Sequence, residues 1–233
     1  MSGGKSILLD SFSHEAIEKT VNSHQPFYIH CNVADNFFIY NVEKCILAIL
    51  KKKNFPNFHT SLTFVAKELI DNANKANLKR VFFKKNNLEI NLPEDYEKGV
   101  ARFTQTLKTG EKSLQHYLIQ ENYYVQVYFK SYADSEIHIE IINNALPTHE
   151  ERKRIHEKQK NFFKMKESHE KSLGEIDETE GAGMGLFLSL KVLFRHGISP
   201  EAFAIQELQG CTVARLQFSY QTIIDSPICI SGE

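Results

Sequence analysis

Residues 181–220 read GAGMGLFLSLKVLFRHGISPEAFAIQELQGCTVARLQFSY, and the rest of the chain is read outward from them. Glycines at 181, 183 and 185 precede an apolar run over 187–194, and His196-Gly197 supplies a helix stop. Two stretches of strand character follow, at 202–208 and 212–220, the second with Ala214, Leu216 and Phe218 on one face. Upstream, residues 26–31 (PFYIHC), 124–129 and 137–142 have the aromatic and β-branched content or the alternation of strands. Helical patterns lie between them: a short one over 14–21 capped by Ser11 or Ser13, one over 42–52 opened by Asn41, and a longer one over 62–77. Val81-Phe82-Phe83 reads as a strand, Asn86-Asn87 as a turn into Leu88-Glu89-Ile90, and residues 93–120 as one or two short helices. Strands clustered with intervening helices imply an α+β fold, a two-layer α/β sandwich with helices on one face of a mixed, largely antiparallel sheet.

Composition narrows the function. The 233 residues suit one sizeable domain, and 42% hydrophobic with 24% charged residues is a globular composition. A net charge of −1 gives no general attraction to nucleic acid or anionic membranes. No apolar run approaches the roughly 20 residues of a membrane span. The start, Met1-Ser2-Gly3-Gly4-Lys5, lacks a signal-peptide pattern, so a cytoplasmic location is expected. Cysteines at 31, 45, 211 and 229 lie too far apart for a thiolate metal loop, and no HExxH occurs. The segment 147–180 is densely charged, basic early (Arg152-Lys153-Arg154) and acidic late (Glu175 to Glu180), which suits a solvated face better than a nucleic-acid surface.

Two motifs carry chemistry. In Glu68-Leu69-Ile70-Asp71-Asn72-Ala73-Asn74-Lys75-Ala76, a helix stacks Glu68 and Asn72 four residues apart, beside the apolar stripe, with Lys75 nearby. A carboxylate, a carboxamide and an ammonium along one edge suit a magnesium–phosphate site: an amide oxygen can ligate a hard cation, and a carboxylate can orient an attacking hydroxyl or water. Taken alone, the pattern also reads as a solvated helix edge. The glycine run at 181–185 opens an apolar helix, so close-approaching backbone N–H groups and the helix dipole favour phosphate. Its spacing differs from the dinucleotide-binding fingerprint, and no GK[ST] follows. By itself the run also reads as a hinge.

The order of these motifs, with Gly210-Cys211-Thr212 leading into a last strand, resembles the GHKL ATPases, the superfamily of gyrase, large heat-shock chaperones, histidine kinases and mismatch-repair ATPases. The stretch 183–218 is most similar to histidine kinase catalytic domains and anti-sigma-factor serine kinases. The resemblance spans about residues 25–220 and implies the histidine kinase-like ATPase fold. It leaves 1–24 as an N-terminal extension, about 86–122 as an insertion, about 148–180 as an ATP lid and 221–233 as a tail. It implies ATP and Mg2+ as cofactors, with Glu68 as the base or water-orienting group and Asn72 as the magnesium ligand. Lys75 stands near the phosphates, the N–H groups around Gly181, Gly183, Met184, Gly185 and Leu186 cradle them, and Thr212 sits by the adenine. Where the family has a DxGxG motif, this chain has Asn143-Asn144-Ala145-Leu146-Pro147; Asn143 replaces the aspartate that accepts from adenine, as a weaker acceptor. The function implied is a Mg-ATP-dependent kinase or regulatory ATPase in signal transduction, with a regulatory partner or phosphoacceptor protein, no nucleic acid or membrane, and room for a homodimer. The alternative is a degenerate pseudo-ATPase that serves as a partner-binding module.

Overall fold

The structure, a computed structural model, describes residues 6–109, 112–132, 136–167 and 183–224. In chain order the elements are β1 (Ile7–Leu8), α1 (His14–Asn22), β2 (Phe27–Cys31), α2 (Asn36–Lys52) and α3 (His59–Lys85). They continue with α4 (Pro93–Thr109), α5 (Lys112–Gln120), β3 (Val125–Tyr132), β4 (Glu136–Asn143) and α6 (His149–Glu167). The chain then forms α7 (Gly183–Arg195), β5 (Phe203–Leu208), β6 (Cys211–Ser219) and α8 (Tyr220–Ile224). Among the described residues six strands make one sheet in the order β1-β2-β3-β4-β6-β5, in which only the β1–β2 pair is parallel. This is the α+β, two-layer architecture expected from the sequence.

Register explains where the core and the site lie. Side chains directly opposite one another across paired strands share a face. One row runs Phe27, Phe129, Ile139, Leu216 and Phe203, all at most 5% exposed. The next row on that face runs Ile29, Val127, Ile141, Ala214 and Ile205, and the one beyond it includes Val125, Asn143 and Thr212. Helices α2, α3 and α7 cover this face, burying Ile46, Leu50, Leu69 and Leu190 against it. Each such side chain contributes about 1.5–3 kcal/mol on burial. The third row, at the sheet's end, is where polar side chains replace apolar ones.

Three expectations are corrected. Val81-Phe82-Phe83 is not a strand: α3 runs on to Lys85, and these residues join Tyr96, Phe103, Leu114 and Leu118 in a second core with α4 and α5. Burial on several sides overrides their β preference. The ring of Phe83 lies where a Cβ on Gly99 would stand, so α4 comes as close as only a glycine permits. Asn86-Asn87 is likewise no hairpin turn. Asn87 has φ 52° and closes α3 in a Schellman motif, with Leu88 N–H donating to Phe83 O and Asn87 N–H to Lys84 O. Nor does Asn41 open α2. The cap is Asp35, whose Oδ1 accepts from Phe38 N–H at 2.9 Å, while Asn41 is buried and donates back to Phe37 O.

The segment read as an N-terminal extension supplies the edge strand β1 and the helix α1, whose Ile17 and Val21 enter the main core. Ser13 caps α1. Cys31, Cys45 and Cys211 are free thiols; burial pushes Cys31 and Cys45 up to about 12, and Cys229 lies outside the described residues. No helix among the described residues is long and apolar enough to cross a membrane.

Candidate functional site

A cavity of about 200 Å³ opens where the third row of the sheet meets α3, α6 and α7. Its floor is Ile141, Ala214 and Ile205 from the second row, ending at Asn143 and Thr212. Thr212 stands opposite Asn143 in the β4–β6 pairing, and opposite Glu207 in the β5–β6 hairpin, whose two-residue turn, Gln209-Gly210, has φ of 51° and 80°. That turn fixes the β5–β6 register from the Leu208–Cys211 pair onward. On the helical side α3 presents Leu69, Asn72, Ala73 and Ala76 at the spacing of one face, and Leu186 enters from the first turn of α7. This volume is below the roughly 300–1,000 Å³ of drug-sized sites, so the enclosed part suits a single ring system with the rest of a ligand extending outward.

Five of the residues singled out in the sequence therefore line one cavity: Asn72, Lys75, Asn143, Leu186 and Thr212. Glu68 is not among its lining. Instead its carboxylate lies against Gly185, filling the place that a Cβ on Gly185 would need. The asparagine-bearing helix and the glycine-opened helix are thus in direct contact, with a carboxylate at the first turn of α7. Gly183 and Met184 open that turn, and Gly181 lies outside the described residues; of the segment 148–180 expected as a lid, His149–Glu167 form α6 and 168–180 also lie outside them.

Hydrogen bonds hold the polar end together. Asn143, 3% exposed, donates through Nδ2 to Asn77 Oδ1 at 3.2 Å and to Ala145 O at 3.3 Å. Thr212 Oγ1 donates to the same Ala145 carbonyl at 2.6 Å. Asn144 Oδ1 accepts from Tyr124 N–H at 2.9 Å, tying the Asn143–Pro147 segment to β3.

The sequence reading missed four charged side chains in the wall: Lys79, Arg80, Glu151 and Arg154. Thr148 and Glu151 form a capping box at the start of α6: Glu151 N–H donates to Thr148 Oγ1 at 3.2 Å, and Thr148 N–H to Glu151 Oε2 at 2.9 Å. The other face of that carboxylate meets Arg80 at 2.5 and 3.1 Å and Lys79 at 3.0 Å, and Arg80 also donates to Leu146 O. Burial pushes the Glu151 carboxyl up, but the Arg80 hydrogen bonds and charge, with Lys79 and the Thr148 N–H, outweigh it and hold Glu151 at about 2. The pattern Thr148-x-x-Glu151 was visible as a helix start within the charged run.

With Lys75, Lys79, Arg80 and Arg154 against Glu151 alone, the lining carries an excess of positive charge. That favours an anionic ligand. Among the described residues no cluster of three or more His, Cys, Asp or Glu stands ready to hold a metal by itself. A divalent ion here would bring most of its oxygen ligands with it as phosphates and water, which is how magnesium usually binds.

No family model matches the chain, and no solved structure matches it. Among curated proteins it is similar to an uncharacterized protein of Treponema pallidum (strain Nichols), 30% identical over 184 residues. The match covers 78% of this chain and 34% of that protein, so the chain spans about a third of its relative's length.

Proposed function

We propose that the chain binds Mg-ATP in this cavity and acts as a kinase or regulatory ATPase of the GHKL type, in the cytoplasm. The observation that carries the reading is the Glu68–Gly185 contact together with Asn72, Lys75, Leu186, Asn143 and Thr212 around one cationic cavity. The base occupies the closed end against Ile141, Asn143 and Thr212. The triphosphate runs outward toward Lys75 and the first turn of α7, where N–H groups and the helix dipole complement its charge. Asn72 Oδ1 would offer one oxygen ligand to a magnesium ion, which when bound would supply neutralisation of charge for phosphoryl transfer. Glu68, at the mouth of α7, orients and deprotonates the acceptor hydroxyl or water.

Calorimetric titration with ATP, with and without magnesium, tests this. Micromolar to millimolar binding that strengthens with magnesium, and loses that dependence in Asn72→Ala, is the expected result. No binding at millimolar ATP overturns it.

A second reading, a pseudo-ATPase that serves as a partner module, is favoured by Asn143 in place of a carboxylate and by Ala145 and Pro147 in place of glycines. It predicts equal, negligible turnover for the wild type and Glu68→Gln. Turnover abolished by that substitution rejects it.

A further inference from the structure

We propose that Asn77 is a positioning residue that decides which purine the cavity accepts; this deepens the nucleotide reading above and rests on it. Asn77 is fully buried and absent from the cavity wall, so it acts through Asn143. A carboxamide presents a donor at one end and an acceptor at the other, and rotating it exchanges the two. Here the rotation is fixed by a relay. Asn77 Nδ2 donates at 2.9 Å to Tyr124 O, a backbone carbonyl that only accepts. Asn77 Oδ1 is therefore the end facing Asn143, and it requires a donor there.

Asn143 supplies that donor with Nδ2, which also reaches Ala145 O, a second group that only accepts. Its Oδ1 takes no hydrogen bond among the described residues and is the end left to the cavity that Asn143 lines. The closed end thus offers a fixed acceptor. A 6-aminopurine meets it with an N–H, whereas a 6-oxopurine would set oxygen against oxygen. Without Asn77 only the 3.3 Å contact to Ala145 O holds the Asn143 amide, so the amide turns more easily and the discrimination between the rings weakens.

The test compares ATP with inosine triphosphate, which replaces the 6-amino group by an oxo group, by calorimetry at one magnesium concentration. Wild type is expected to prefer ATP by about tenfold or more, the cost of one unmade buried hydrogen bond. Asn77→Leu should lower the ratio several-fold, and Asn143→Ala, which removes the acceptor, should bring it close to one. Asn77→Asp, which still accepts from Asn143 Nδ2, should keep a preference for ATP. Circular dichroism reports whether each variant is folded. If Asn77→Leu does not fold, Asn77→Ala is read in its place, with the same expected fall in the ratio. Equal binding of both nucleotides by wild type, or a folded Asn77→Leu with an unchanged ratio, overturns the inference while leaving nucleotide binding intact. Failure of wild type to bind either nucleotide overturns the functional reading itself.

Discussion

The two ends of the cavity are built on different principles. The closed end is set by backbone: strand register brings Asn143 opposite Thr212, and Asn77 and Ala145 O hold the amide. Arg80 then latches the following segment and α6 through Leu146 O and Glu151. At the open end the arrangement depends on the packing of two helices, with the flexible Glu68 side chain resting on a glycine and Lys75 exposed. A fixed end suits selection of a rigid ring, and an adaptable end suits a charged group whose contacts change during reaction. Perturbing the first should chiefly alter stability and selectivity; perturbing the second should chiefly alter chemistry.

The largest effect is expected at the latch. Arg80→Leu leaves the Glu151 carboxylate buried with a diminished set of partners, and urea unfolding should show a loss of about 3–5 kcal/mol. Acid should reach the same group more gradually. Because folding depresses the Glu151 pKa from 4.5 to about 2, its contribution is complete above about 4.5 and is lost as pH falls toward 2. Stability measured across that window should drop by an amount of order 3 kcal/mol that is absent in Glu151→Gln.

At the open end, Gly185→Ala forces aside the free end of Glu68. Unfolding free energy should change by no more than about 1–2 kcal/mol, while turnover falls about 100-fold, since small misplacements of a reacting group are costly. A loss of stability that matches the loss of turnover would remove the distinction between the ends. The smallest effect belongs to Arg152→Ala: its ion pair with Glu207 lies in solvent on the outer rim, and no change in melting temperature is expected.

Legibility in the sequence follows the same division. Asn72 and Lys75 were readable from helical spacing, and the strand pattern located β2 to β6 of the sheet but not its edge strand β1. Bringing Asn143, Leu186 and Thr212 to the same cavity rested on motif order. What stayed hidden depended on distant partners. Val81–Phe83 have strand preferences that packing in the second core, with α4 and α5, overrules. Asn41 resembled a cap, yet Asp35 had the position to accept from Phe38. Glu151 looked like one charge in a solvated run because its burial comes from Arg80 and Lys79, some 70 residues earlier. Asn77 gave no signal at all, since an amide relay between α3, β3 and β4 exists only once the strands are paired.

The central claim is that one cavity holds base and triphosphate in a defined direction, and a crystal structure with magnesium and a non-hydrolysable ATP analogue tests it most directly. The account predicts the base at the Asn143–Thr212 end and the phosphates at the first turn of α7 beside Asn72 and Lys75. A ligand bound elsewhere, or bound here with its phosphates against Asn143, would contradict it.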